Sequence, residues 1–592
     1  MDKTPIPSHG AHESLTTRPG AAIHKPSRLS QIIESTWTGP ALIALLATLL
    51  VCFQVDPAGD YPSSGTGPGL TLDEIFNAQI GVELADPSLT GDFPKLIKAS
   101  RILPDHPPLG RLCLGLAHEV CLLLDPPAGE HGRLVIACAR VGSAVTFGLL
   151  VFIIGCVSTS WYGKLAGCAS ATSLILMPRV FGHAHLAALE TPLNLTYAMA
   201  VLSVAWWWGQ RNSAATLIQH PPKFRSALIC GLCFGLALLT KIQAIFLPFP
   251  IFLWMVWNWR WRAVWPLFVW GVTGLLVFVA GWPWLWPNPL GNILSYLGHA
   301  RERTTIYVWY LGQQFADRDV PWHYPWVLFA TTVPATLHAL GLWGTWSSFS
   351  NNSNATEQKS SALWEESSQA HRWRLRPQIL VLGTIAFPLI AFSIPGTAVY
   401  DGERLFLIVY PLWALFIGKG FHSGFQWVSQ RSSSWIAVLL TVAILSSQIH
   451  ALHQFSPCWL SYYNELVGGL KGADQLGFQR TYWGDSITRD LLDRAAKHVP
   501  AESEIDFLPV QHGFQLPALE SQCPHFRARG LRLRAFDENL PPAKFLIAFH
   551  RRDYWPQAWT ENPPRYRLIV GVWRQNTLLA GLYQHESLPI QP

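Results

Sequence analysis

Thr71-Leu72-Asp73-Glu74 and, further along the same polar stretch, Asp105-His106-Pro107-Pro108-Leu109-Gly110-Arg111 decide how this 592-residue chain is read. Only 14% of its residues are charged, so acids, a histidine and an arginine gathered between two apolar segments stand out. Leu72, Ile75, Phe76, Ile80 and Leu84 recur at helical spacing and predict an amphipathic helix lying in a membrane interface. Thr71 and Glu74 fit a capping box, in which the glutamate reaches back to the cap, and Asp73 suits the positive end of the helix dipole. Capping needs only one of the two acids, which leaves Asp73 the freer. A second helix is expected from Pro107-Pro108, because proline is tolerated in a first turn, with Leu109, Leu112, Leu116, Val120 and Leu123 on one face and Arg111 beside them. A histidine at such a start is ordinarily a surface or capping residue, so His106 carries no chemistry by itself.

On either side of that stretch the chain is apolar. Half of its residues are hydrophobic, 29 are Trp and 30 are Phe, and the mean hydropathy is +0.21; this suits membrane helices with interfacial aromatics rather than a soluble protein. The expected fold class is a polytopic α-helical membrane protein followed by a small C-terminal α/β soluble domain. About eleven spans can be placed against a hydrocarbon thickness of roughly 30 Å. They lie near Gly39–Val55, Leu134–Val157, Leu165–Val180, Leu186–Trp208, Ala227–Lys241, Ala244–Trp257, Val264–Trp282, Tyr324–Trp346, Ile379–Ile394, Leu405–Ile417 and Trp435–Leu452.

Basic residues set the orientation. With the N-terminus inside, Lys25, Arg28, Lys164, Arg211, Lys223, Arg225, Arg260, Arg262, Lys359, Arg372, Arg374, Arg376, Lys419 and Arg431 fall on the inner side, following the positive-inside rule. The net charge of +6 reflects that pattern, and no basic patch suggests nucleic acid. Three parts follow: a disordered cytoplasmic tail over 1–35, a membrane domain over 36–452 with an outer loop 56–133, and an extracytoplasmic α/β domain over 453–592. The Ser/Asn-rich insert 347–369 stays inside, so its Asn354-Ala355-Thr356 sequon should not meet a glycosylation enzyme. In the C-terminal part, Ile505–Leu508, Phe545–Ala548, Tyr566–Trp573 and Thr577–Tyr583 read as strands, the last two as a hairpin across Arg574-Gln575-Asn576, and Ser486–Lys497 reads as a helix. Most cysteines lie in apolar segments as small hydrophobes; Cys458 and Cys523 fall in the polar part, where a disulfide between them is an open alternative.

Ionisable residues inside or at the mouth of the spans need partners, because an unpaired one costs about 2.5–3.5 kcal/mol at a helix centre. Arg140 has two readings, pairing with a loop acid or holding a ligand phosphate. Glu190, in Glu190-Thr191-Pro192, is either a helix cap or a buried acid, and Lys241 and Arg404 are either snorkelling cations or ligand contacts. On the predicted topology Asp73, Glu190, Arg140, Lys241 and Arg404 all reach one outer level. An anionic lipid headgroup fits that level, since a leaving phosphate needs cationic donors and an acceptor hydroxyl needs a carboxylate base.

Leu72-Asp73-Glu74, Asp105-His106-Pro107-Pro108-Leu109-Gly110-Arg111, Arg140 ahead of Phe147-Gly148, and Glu190-Thr191-Pro192 together resemble the protein O-mannosyltransferases and their bacterial relatives, including the lipid A aminoarabinose transferases. The resemblance covers roughly 39–452 and implies a C-type glycosyltransferase fold. It also implies a polyprenyl-phosphate sugar donor, a protein, lipid or glycan acceptor, and an inverting displacement on the outer face, in a bacterial inner membrane. It makes Asp73 the base, Glu74 its neighbour at the acceptor, Arg140 an organiser of the site and Glu190 a second acid; Arg140, His106, Arg111, Lys241 and Arg404 are the candidates for binding the donor phosphate or substrate. The chain departs from the eukaryotic enzymes in lacking a β-trefoil insert, and from the aminoarabinose enzymes in carrying His106 where they place a lysine before the two prolines. A divalent metal ion at the phosphate is compatible with this chemistry, and no ligand motif for one is visible. The competing class is a lipid or polysaccharide transporter, against which stand the absence of an internal repeat and the acidic outer loop.

Overall fold

The computed structural model describes residues 36–55, 67–124, 134–209, 221–302, 304–350, 376–556, 559 and 562–586. The tail 1–35 and the Asn354 sequon lie outside them.

Among the described residues, three helical stretches are long and apolar enough to cross a membrane, Ile136–Tyr162, Ile242–Gly281 and Ser434–Phe455, or up to five if each of two bent pairs counts as one span. The sequence reading places about eleven spans, and two features separate that number from this one. Leu165–Val180 and Tyr324–Trp346 are each broken, before Pro178 with a bend of 69° and before Ala335 with a bend of 107°. Thr38–Cys52, Phe224–Leu238 and Pro377–Ala391 are helices of 15 residues each, short of the ~20 that span hydrocarbon perpendicularly. The Ser434–Phe455 helix turns Trp435, Leu439, Val442 and Ile449 outward, as a lipid-facing helix does.

The helix Leu72–Thr90, expected to be amphipathic, packs one of its faces on a neighbouring helix. It crosses the Pro108–Leu124 helix at Gly81 and Gly115, where a β-carbon on Gly115 would stand 1.9 Å from the Gly81 carbonyl oxygen. Only two glycines allow this approach. Leu72, Ala78, Ile80, Leu84 and Ala85 are consequently buried between neighbours, while Ile75 and Phe76 stay half-buried.

A hairpin of β1 (Tyr307–Tyr310) and β2 (Gln313–Ala316) follows the membrane helices of the first half. Downstream of Phe455, five strands form one sheet: β3 (Glu504–Leu508), β4 (Arg532–Ala535), β5 (Phe545–Phe549), β6 (Tyr566–Arg574) and β7 (Thr577–His585), in the order β4-β3-β5-β7-β6. β3 runs parallel to β4 and β5, whereas β7 is antiparallel to β5 and β6. Gln575 and Asn576 both take positive φ, 45° and 59°, as a two-residue hairpin turn requires. β4 was not visible in the sequence; its run Arg532-Leu533-Arg534-Ala535 is too polar to read as a strand and is ordered by pairing with β3. Cys458 and Cys523 are both buried and free, so the alternative of a disulfide between them is set aside.

Candidate active site

Glu74 and Arg140 meet first, because both lie at starts of helices that pack on one another. Arg140 donates from Nε to Glu74 Oε1 at 2.6 Å and from Nη2 to Oε2 at 2.7 Å. Thr71 adds its N–H at 2.9 Å and its hydroxyl at 3.0 Å, both to Oε2, and the Ala187 N–H reaches Oε1 at 2.7 Å. The remaining Arg140 protons go to the carbonyls of Val55, Pro68 and Gly69. Both side chains are wholly buried and neither lines the cavity described next. Of the two sequence readings of Arg140, the structure therefore shows pairing with the loop acid.

Asp73 is one residue earlier and points the other way. It lines a cavity of about 290 Å³ together with Phe76, Asn77, Leu103, Asp105, His106, Arg111, Leu189, Glu190, Lys241, Arg404 and His512. The seven residues singled out from sequence besides Asp73 thus divide into five on this cavity (His106, Arg111, Glu190, Lys241, Arg404) and two behind it (Glu74, Arg140). Asp73 keeps 31% of its side-chain surface exposed and accepts one hydrogen bond among the described residues, from Arg404 Nη2 to Oδ2 at 2.6 Å. Its Oδ1 is open to the cavity.

Arg404 is the hub. Besides Asp73 it donates from Nε to Glu190 Oε1 at 3.2 Å and from Nη1 to Asp401 Oδ2 at 2.8 Å, and its guanidinium lies 4.2 Å from the centre of the Trp483 ring. Lys241 Nζ donates to the same Glu190 oxygen at 2.6 Å. No other partner takes its remaining two protons among the described residues. Arg111 is held from behind by Asn77 at 3.2 Å and the Leu103 carbonyl at 2.8 Å, and pairs with Asp105 at 2.8 Å. His106 leaves Nδ1 without a protein partner. Burial, reinforced by Arg111 and Lys241, pushes its imidazole below the ordinary histidine value, so it stays neutral and offers one N–H.

Sequence reasoning did not single out Asp401 or His512, which arrive from far along the chain. Asp401 stands three residues before Arg404, and that proximity to a buried cation was the available signal. His512 had none: it follows β3 and reaches the cavity only because Phe76 packs against it and against Phe514, with ring centres 6.1 and 4.4 Å away. Behind the cavity, a further buried group joins Arg179 to Glu403 at 2.5 Å, with His183 at 3.6 Å from the same carboxylate. No group of three or more His, Cys, Asp or Glu side chains converges as a metal site among the described residues. The cavity acids are instead tied to Arg404, Arg111 and Lys241.

The sequence matches no protein-family model and no curated protein. Among solved structures it is similar to ArnT from Cupriavidus metallidurans in the apo state, at 14% identity and a TM-score of 0.48, over 93% of this chain and 98% of that one. It is also similar to the oligosaccharyltransferase AglB from Archaeoglobus fulgidus, in complex with an inhibitory peptide and a dolichol-phosphate. That match has 11% identity and a TM-score of 0.43, over 86% of this chain and 69% of that one. A third is the S. cerevisiae protein O-mannosyltransferase Pmt1-Pmt2 complex bound to the sugar donor, at 15% identity and a TM-score of 0.29, over 45% and 33% of the two chains. These likenesses assign no role to any residue here.

Proposed function

We propose that this chain is a membrane glycosyltransferase that moves a single sugar from a polyprenyl-phosphate carrier to an extracytoplasmic hydroxyl. The observation that carries the reading is the unengaged Oδ1 of Asp73, facing a cavity whose other walls hold Lys241, Arg404, Arg111 and neutral His106. An acid held by one cation on one oxygen and free on the other is a base in waiting. The acceptor O–H gives its proton to Asp73 as the oxygen bonds to the anomeric carbon. The bond from that carbon to the phosphate oxygen breaks with its electron pair, and the carrier phosphate gains one negative charge. Lys241, with two protons free, and the His106 N–H are placed to receive that charge, which is where stabilisation has to develop for the rate to rise. Glu190 anchors Lys241 and Arg404 rather than acting as a second base, since its Oε1 already accepts from both. Asp73 is then the catalytic residue, and Glu74 and Arg140 position it by locking the start of its helix.

The test is incubation of the purified full chain, in lipid nanodiscs, with polyprenyl-phosphate-linked hexoses and pentoses and a cell-envelope extract, with mass spectrometry for an added sugar. Transfer by the wild type that Asp73→Asn abolishes supports the reading. Movement of the intact donor across a vesicle membrane with no sugar transferred would support the transporter class instead.

A further inference from the structure

Arg404 has three acidic partners, and one of them, Asp401, does not line the cavity. While Asp401 Oδ2 takes Arg404, its Oδ1 accepts at 2.8 Å from Nη2 of Arg551, which follows β5 and is 1% exposed. Arg551 is itself held: Nε donates to Asp553 Oδ2 at 3.1 Å, Nη1 to the Tyr482 carbonyl, and the guanidinium lies 4.7 Å from the centre of the Tyr554 ring. The result is an unbroken alternation of charge, Asp553, Arg551, Asp401, Arg404, Asp73, running from the sheet region to the cavity. The backbone under its middle member is constrained as well. Asp401 takes φ +54° and Gly402 φ +65°, and a β-carbon on Gly402 would stand 2.8 Å from the Tyr482 ring.

We propose that Arg551 is a positioning residue for the reaction above, acting through Asp401 to fix the plane of the Arg404 guanidinium; this rests on Asp73 being the base. Arg404 contacts Asp73 through Nη2 alone because its Nη1 is committed to Asp401. A guanidinium prefers a two-pronged grip on a carboxylate. Without Arg551, the Asp401 carboxylate loses the partner that holds Oδ1 and turns about its side-chain axis, and Nη1 is released. Arg404 then grips both oxygens of Asp73, and the free Oδ1 on which proton removal depends is gone. The donor side, Lys241 and His106, is untouched by that change. The soluble region thereby sets how tightly the base is held.

Arg551→Gln, Arg551→Lys, Asp401→Asn and the double variant of Arg551→Gln with Asp401→Asn, each as the full chain in nanodiscs, test this. Arg551→Gln should lower kcat per folded molecule about 10- to 100-fold, with the donor KM within about twofold, and Arg551→Lys should recover part of the loss. The double variant should be no slower than Asp401→Asn alone, because the two act in series. A second readout needs no turnover: carbodiimide coupling of a small amine to Asp73, followed by mass spectrometry, should be several-fold slower in Arg551→Gln than in the wild type. Additive losses in the double variant, unchanged coupling at Asp73, or a fall only in the amount of folded protein overturns the assignment. A fully active Asp73→Asn overturns the catalytic reading itself, and the coupling measurement still reports whether Arg551 controls Arg404.

Discussion

Asp73 and Glu74 are neighbours, and replacing each by its amide alters the same few atoms with opposite expected results. Glu74 receives five donors on two oxygens, three on Oε2 and two on Oε1. In Glu74→Gln, whichever oxygen becomes NH2 sets a donor against two or three donors, and Arg140 is left buried with its charge uncompensated. Breaking one side of a buried pair in this way costs about 3–5 kcal/mol. Asp73→Asn loses little: the amide oxygen can keep Arg404, and Arg404 retains Glu190 and Asp401, so the expected change in stability is within about 1 kcal/mol. Its cost falls on chemistry, where loss of a positioned base is worth about 100- to 10,000-fold in rate. Purified full-length variants in nanodiscs would be compared by thermal unfolding, followed through intrinsic fluorescence, and by sugar transfer at matched amounts of folded protein. The expected pattern is a sharp loss of stability in Glu74→Gln and a wild-type unfolding curve with no transfer in Asp73→Asn. A Glu74→Gln protein that unfolds like the wild type yet transfers nothing would refute the reasoning, because it would make Glu74 a participant in the reaction rather than a lock behind it.

Three other outcomes follow from the same geometry. Lys241→Met removes the two free ammonium protons while Arg404 still holds Glu190. It should lower kcat/KM for the polyprenyl-phosphate donor about 10- to 100-fold, the worth of one hydrogen bond to a charged group, as read from initial rates against donor concentration. His512→Ala removes part of the cavity lining beside Phe76, so the acceptor KM should rise while the donor KM holds, measured by varying each substrate in turn. Asp485 is 1% exposed, its Oδ2 lacks a protein partner, and burial pushes its carboxyl up to about 6. Because the folded state favours the protonated acid, stability is highest at low pH and falls as pH rises from the unfolded pKa near 3.8 through about 6, by about 3 kcal/mol in all. Asp485→Asn should flatten that slope, and thermal unfolding at pH 4, 5, 6 and 7 reads it.

Particular residues show where sequence reasoning ended. The capping box at Thr71 and Glu74 is a contact across three positions of one helix, so the spacing alone was enough to see it. The demand that Arg140, Glu190, Lys241 and Arg404 find partners was equally legible, because the cost of a bare charge among apolar residues does not depend on where the chain goes. What could not be read was which partner each would take. Arg140 had two readings of equal standing, and only the fold of the 67–74 segment, which turns two carbonyls and Glu74 onto one guanidinium, decides between them. The bends at Met177 and Val333 were not legible from hydropathy, because apolar composition is the same on both sides of a bend.

By itself, then, the amino-acid order determined that the chain is dominated by apolar helices, that its polar residues are too few to be idle, and that Asp73 is the acid left over once Glu74 has capped its helix. These follow from local periodicity and from the solvation cost of charge, which are properties of short stretches. Tertiary structure alone decided that Asp73 and Glu74 face opposite ways, that Arg404 is shared among three carboxylates, and that Arg551 and His512 come from the distant sheet region to the same place. Such pairings link residues up to 331 positions apart, and nothing in the spacing of a linear chain specifies which distant charges will share a guanidinium until packing has brought their helices and strands together.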